Sequence, residues 1–229
     1  MAMPAVKRFS TIGFSSIFQR LRPIVVTSLS LTRYICDGKR ISRFPVPKVS
    51  SLPEDLRERF ALEEEKAGFL PNVLRCLSHR PDELRAFLNY YDILMLKENN
   101  LSKAEKEMIV VATSAANNCM YCVVSHGALT RIYSKNPLLG DQVAINWKAA
   151  DLTKRERAIL EFATKIGRSE TIEDNDYAAL EEQGLGQEDA WDIGAIAAFF
   201  ALSNRMAHMI DMRPNNEFFN MGRLPKENK

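Results

Sequence analysis

Residues 102–133 read SKAEKEMIVVATSAANNCMYCVVSHGALTRIY, and this stretch decides the fold. Apolar residues recur at helical spacing on both sides of Asn117 and Asn118, which predicts two helices meeting at a tight corner, with Cys119 in the first turn of the second. Cys122 and His126 are then i and i+4, stacked on one helical face. A thiol in the first turn of a helix feels the positive end of the macrodipole and unpaired backbone N–H groups, which favour thiolate, the reactive form. On the preceding helix, Glu107 sits among Met108, Ile109, Val110 and Val111, where a buried acid is costly unless it has a partner such as a histidine. Glu107, Cys119, Cys122 and His126 thus lay out a proton relay beside two thiols.

At these residues the chain resembles the alkylhydroperoxidase D and carboxymuconolactone decarboxylase-like superfamily, within it the branch of peroxidase-related enzymes. The resemblance runs through GFLPNVLRCLSHRP, NNCMYCVVSHG, LTKRERAILEFATKI and AAFFALSNRMAHMID, from about Ser51 to Arg223. It implies an all-α, alkylhydroperoxidase D-like helical bundle. It also implies a peroxide-reducing site in which the glutamate, the two cysteines and the histidine map one by one onto Glu107, Cys119, Cys122 and His126. Muconolactone decarboxylases are similar in fold but lack the cysteine pair, so the pair argues against that activity. One position departs: many relatives carry a histidine just before the motif histidine, and here it is Ser125. The expectation is a tuned site, not an abolished one.

A CxxC alone serves dithiol redox sites, half zinc sites and chance. Zinc needs four ligands, whereas Cys119, Cys122 and His126 supply three, with His79 and His208 far away in sequence. Two buried structural cysteines are the bland alternative, which the matched glutamate disfavours. Four cysteines with one CxxC fit a reduced compartment better than a secreted disulfide scaffold. Cys76, in PNVLRCLSH, reads as a packed core thiol, and Cys36 lies in the leader.

With 229 residues and 46% hydrophobic content, the chain can bury one substantial core, or one domain with an extension. Its formal charge of +2 conceals two unlike segments. Residues 1–48 hold nine Lys or Arg against the single acid Asp37, net +8, leaving the remainder with 22 basic and 28 acidic residues, net −6. An acidic body gives no reason to expect nucleic-acid binding. The leader has no acid before Asp37, is rich in Ser and Thr, and sets Phe14, Ile17, Phe18 and Leu21 at i, i+3, i+4 and i+7 beside Arg20 and Arg22. Those are the marks of a mitochondrial presequence, predicting the matrix after its removal and the cytoplasm otherwise. A membrane-surface helix or a plain basic tail shares the composition. The apolar run Ile24 to Leu31 is broken by Thr27, Ser28 and Ser30 and falls short of the ~20 residues a membrane span needs. The expected organisation is a disordered basic leader over residues 1–48 and one all-α domain over residues 49–229.

No stretch of the body sustains period-2 alternation, and helical punctuation dominates. Pro53 near a first turn and Gly68 at a stop bound one helix, and Arg80 to Asn99 forms another with Leu84, Phe87, Leu88 and Tyr91 along one stripe. Ser102 with Glu105, and Thr153 with Glu156, form capping boxes. A short connecting helix is expected around Gln142 to Trp147 and a long one from about Gln187 to Asp211. Sliding the chain by 85 residues sets Asp192 under Glu107, Asn204 under Cys119, Ala207 under Cys122 and Asp211 under His126, the pattern of an internal helical repeat that has lost its chemistry. Asn204, Arg205 and His208 read as helix-end packing or a subunit contact. The apolar circumference of that last helix (Ile196, Phe199, Phe200, Leu202, Met206, Met209, Ile210) predicts a homo-oligomer.

The resemblance implies an oxidoreductase, a peroxidase cycling between dithiol and disulfide on alkyl hydroperoxides or hydrogen peroxide. It requires no metal or organic cofactor but does require an external dithiol donor. Cys119 and Cys122 both lie on the face of His126, so spacing alone leaves open which attacks. The reading favours Cys122 as the thiol His126 activates and Cys119, nearer the helix start and more open, as the one that exchanges with the donor. The alternatives are a dithiol-disulfide oxidoreductase or adaptor, and a binding or sensing module on the same scaffold.

Overall fold

The computed structural model describes residues 35–36 and 39–223, with side-chain burial from Arg40 onward. The stripe Phe14, Ile17, Phe18, Leu21 and the rest of the presequence reading lie outside the described residues. Apart from a two-residue antiparallel ladder, Ile35–Cys36 with Lys39–Arg40, the regular elements of the described residues are helices, and the protein is all-α as expected. The first three helices are α1 (Glu54–Ala67), α2 (Asn72–Leu77) and α3 (Pro81–Leu96), followed by α4 (Lys103–Ala116) and α5 (Met120–Ser134). Beyond them come α6 (Leu139–Asn146), α7 (Lys154–Gly167), α8 (Asp174–Glu181) and the 24-residue α9 (Gln187–Ile210).

Local chemistry sets most of these boundaries. Pro53 precedes α1, and Gly68 closes it in the left-handed region at φ 81°. Both predicted capping boxes form: Ser102 Oγ accepts from the Glu105 amide while Glu105 Oε2 accepts from the Ser102 amide at 2.7 Å, and Thr153 with Glu156 repeats the pattern on α7. The other oxygen of Glu105 accepts from Arg155 Nε at 2.7 Å, so the cap of α4 also ties it to α7. The connecting helix begins earlier than expected, at Leu139, and runs close against α5. A Cβ on Gly140 would lie 2.6 Å from the Gly127 carbonyl oxygen.

Two apolar clusters make up the core. One gathers Met108 to Ala112 of α4, Val143 of α6, Ile159, Leu160 and Phe162 of α7, and Ile193 to Phe200 of α9. The other gathers α1, α2 and α3 around Cys119, Tyr121, Cys122, Ala207 and Ile210. The corner between α4 and α5 lies where they meet.

Two expectations need correction. The domain begins before residue 49: Ile41 and Val46 are buried in the second cluster, the Arg43 amide donates to the Ile210 carbonyl at 2.7 Å, and the Arg213 amide donates to the Ile41 carbonyl at 3.2 Å. By composition these residues belong to the basic leader, but their burial and their bonds to Ile210 and Arg213 place them in the fold. Secondly, α9 is one unbroken helix through Leu202 and Ser203, where the 85-residue register would put the α4–α5 corner. In α9, Ile196, Phe199, Phe200 and Ile210 are buried inside the chain, leaving Leu202 and Met209 exposed together with Trp191. By length and composition α9 is long and apolar enough to cross a membrane, yet 61% of its most apolar window is buried inside the fold, as suits a core helix.

Candidate active site

The corner between α4 and α5 is a helix C-cap and a helix N-cap fused. Asn118 takes the left-handed conformation at φ 54°, which an asparagine tolerates better than most residues. Its amide reaches the Ala115 carbonyl at 3.0 Å, and the Cys119 amide reaches the Ser114 carbonyl at 2.9 Å, the pair of bonds of a Schellman motif. Cys119 emerges as the N-cap of α5, one position before the predicted first turn and facing the unpaired amides of the new helix.

Cys119 and Cys122 are both free, and each is only 2% exposed, so the expected greater openness of Cys119 is not found in its burial. It is found in what each borders. A cavity of about 190 Å³ is lined by Asn118, Cys119, Met120, Tyr121, Ala207, His208, Asp211, Met212 and Arg213, whereas Cys122 lies behind it, its sulfur 3.9 Å from Ser203 Oγ.

The two thiols are electrostatically unequal. The Cys122 thiol, aimed at the Cys119 sulfur, draws Cys119 down to about 6 against the opposing effect of burial, helped by the Cys122 amide, the nearby His208 and the Asn204 side chain. No capping hydrogen bond to a neutral Cys119 sulfur is closed, as expected of a weak acceptor, and the Cys122 amide is placed to close one on a thiolate. Cys122, as the donor in this pair and buried besides, is held well above the ordinary thiol range. Both directions favour the thiolate on Cys119, whereas the sequence reading favours Cys122 as the activated sulfur. Cys76, outside the pair, donates to the Ile41 carbonyl at 3.4 Å and is pushed up by burial to about 12, fitting the packed thiol expected of it.

Glu107 and His126 come together as the sequence predicts: Nδ1 of His126 lies 2.7 Å from Glu107 Oε2. The imidazole packs edge-on against Phe200, with centroids 4.7 Å apart. Neither residue lines the cavity. Ser125, at the departing position, turns back to the Tyr121 carbonyl at 2.9 Å.

The Carboxymuconolactone decarboxylase family matches residues 81–165, a span containing all four of these residues. Over 81% of this chain and 98% of the other, the sequence is 59% identical to an uncharacterized peroxidase-related protein from Ralstonia eutropha JMP134, described as an alkylhydroperoxidase AhpD core, with a TM-score of 0.80. The chain belongs to the alkylhydroperoxidase D and carboxymuconolactone decarboxylase-like superfamily. A second uncharacterized peroxidase-related protein, from Silicibacter sp. TM1040, is 38% identical over 82% of this chain and all of its own, with a TM-score of 0.77. The debrominase Bmp8 shares the fold at 22% identity and a TM-score of 0.62, the match covering 78% of this chain and 93% of that one. Comparison with curated proteins finds no match.

Sequence reading missed the contribution of α9 to this superfamily site. Asn204, fully buried, donates to Ser114 Oγ at 2.9 Å and accepts from Asn117 Nδ2 at 3.0 Å, bracing the corner that seats Cys119. His208, one turn later, meets the Asn117 carbonyl at 2.9 Å and lines the cavity. The sequence does show two polar residues at i and i+4 in an apolar helix, without naming their partners.

Proposed function

We propose that the protein is a thiol-dependent peroxidase that reduces alkyl hydroperoxides or hydrogen peroxide at the Cys119–Cys122 pair. The observation that carries this is a cysteine favoured as thiolate, backed by a second thiol and opening on a small cavity. Cys119 attacks the distal peroxide oxygen. An S–O bond forms, the O–O bond breaks, and the departing oxygen takes a proton and leaves as alcohol or water. Cys122 then attacks the sulfenic sulfur, giving the disulfide and releasing water, and an external dithiol returns both sulfurs to the reduced state. His126, oriented by Glu107, takes the Cys122 proton during ring closure and passes it to the departing hydroxide.

Stopped-flow oxidation of the reduced protein by several hydroperoxides, with mass spectrometry of the peptide spanning Cys119 and Cys122, tests the reading. A disulfide formed at a rate proportional to peroxide supports it, and a pair that peroxide leaves reduced overturns it.

A dithiol-disulfide oxidoreductase is the second reading, favoured by one feature: Cys119 alone of the pair borders the cavity, beside the 48% exposed Met120, a disposition suited to exchange with another protein's disulfide. Faster oxidation by a protein disulfide than by peroxide would select it. We also propose, on leader composition alone, import into mitochondria, and, on the exposed residues of α9, assembly into a homo-oligomer.

A further inference from the structure

The dithiol is flanked by two histidines with different surroundings. His126 has Nδ1 committed to Glu107, its ring against Phe200 and no place in the cavity wall. His208 borders the cavity together with Cys119. Its Nε2 lies 2.9 Å from the carbonyl oxygen of Asn117, and a carbonyl only accepts, so Nε2 carries a hydrogen and Nδ1 remains the nitrogen that gains or loses a proton. Asn117 is the residue before the Asn118–Cys119 corner, so the imidazole is tied to the turn that seats the sulfur.

The other charged groups around it are already occupied. Asp211 and Arg213 pair with each other at 2.8 Å, and Arg40 reaches Asp211 at 3.5 Å from the N-terminal segment. Arg205, on the same helix, donates to the Ala201 carbonyl. The Tyr121 hydroxyl accepts from the Val73 amide at 3.0 Å, and burial raises it beyond the physiological range. Cys122 faces Cys119 from behind and is the neutral thiol of the pair.

We propose that His208 is a second acid–base group of the site, holding the Cys119 thiolate as its imidazolium and supplying the Nδ1 proton to the group that departs when Cys119 reacts from the cavity side. This rests on the thiol-redox reading. With a hydroperoxide, the Cys119 sulfur bonds the distal oxygen, the O–O bond breaks, the alkoxide takes the Nδ1 proton, and neutral His208 recovers its proton from water. Work at the site is divided accordingly, with His208 serving the sulfur that meets the ligand and the Glu107–His126 pair serving the sulfur that closes the ring.

The test is the pH dependence of iodoacetamide alkylation at Cys119, followed by mass spectrometry on the full-length reduced protein and on His208→Gln, whose amide can still donate to Asn117. Loss of a neighbouring positive charge shifts a thiol by about one unit or more, so the variant should alkylate about fivefold more slowly, or slower still, near pH 6 and match the wild type near pH 9. In His208→Ala, added imidazole should restore part of the lost rate, since the vacated volume adjoins the cavity. Superimposable profiles for wild type and His208→Gln would overturn the proposal, and so would a slowed His208→Ala that imidazole does not rescue. Alkylation needs no peroxide: a Cys119 limb that moves with His208 in a protein inert to hydroperoxides would sink the peroxidase reading and leave this one standing.

Discussion

Nδ1 of His126 lies 2.7 Å from Glu107 Oε2, and the pair sits in the apolar core behind the dithiol, away from the cavity that reaches Cys119. A buried carboxylate with one strong partner fixes both the tautomer and the orientation of that imidazole. Glu107→Gln and His126→Gln should therefore slow multi-turnover peroxide reduction by ~10²–10⁴-fold, the usual loss of a general acid or base. The slow step should be ring closure. Dimedone should label a Cys119 sulfenic acid that accumulates in both variants, and near-wild-type turnover across the pH range would remove the pair from the mechanism.

Unequal thiols make unequal serine variants. Cys122→Ser should still consume one equivalent of peroxide and stop with Cys119 as a sulfenic acid, whereas Cys119→Ser leaves Cys122 buried away from the cavity, where burial still disfavours its thiolate, and it should react with peroxide and alkylating agent far more slowly at pH 7. With Cys119 brought down to about 6, its alkylation should be near its plateau at pH 7 and fall about tenfold per unit below that value, because the sulfur is then protonated. Retained multi-turnover activity in either variant would exclude the two-thiol cycle.

Asn204 braces the corner from α9, so its removal should be felt in stability as well as in chemistry. Asn204→Leu strands the buried Ser114 hydroxyl and removes the acceptor of the half-buried Asn117 amide, at a cost of ~2 kcal/mol. For a domain of this size that corresponds to a Tm lower by about 4–8 °C. Thermal unfolding followed by circular dichroism measures it, and an unchanged Tm would mean that the corner holds without α9.

Whatever depended on local spacing was legible in the sequence. The capping boxes at Ser102 and Thr153 set their helix starts, and the i, i+4 relation of Cys122 and His126 follows from one turn of α5. What required a distant partner was not. His208 meets Asn117 across 91 residues, and nothing in either segment announces the other. Ile41 and Val46 fall in the basic leader by composition, and the surface that buries them is built by α1 to α3 and the end of α9. Helix α8 went unread for a different reason. It buries Leu180 alone, so it shows no apolar stripe, and its capping pair is acidic, Glu173 with Asp176.

The buried position of Ile41 separates leader from fold. A protein beginning at Lys39 should melt with the full chain, while one beginning at Arg43 loses a fully buried isoleucine, ~2 kcal/mol by transfer, and should melt about 4–8 °C lower. Equal melting of the two truncations would return residues 39–42 to the leader. Fused to a reporter, residues 1–39 should carry it into mitochondria, and a diffuse cytosolic signal would contradict the import reading.

Self-association is predicted from what α9 leaves uncovered. Trp191 at 75% exposure, Ala198, Leu202 at 52% and Met209 follow one another at intervals of seven, four and seven residues, which places them on a single helical stripe. Beside it Tyr90 of α3 packs edge-on against Phe199, and Ile93 and Leu96, farther along α3, are also exposed, so the apolar stripe has neighbours of its own kind. A twofold contact would lay this surface on its own copy, burying Trp191 and Leu202 in both chains at once. Sedimentation equilibrium at micromolar concentration should give a multiple of the 26.0 kDa chain mass. Trp191→Asp combined with Leu202→Asp should return the protein to one chain without loss of helix content, because neither side chain supports the core. A wild-type mass of one chain, unchanged on concentrating, would show that this face is left to solvent.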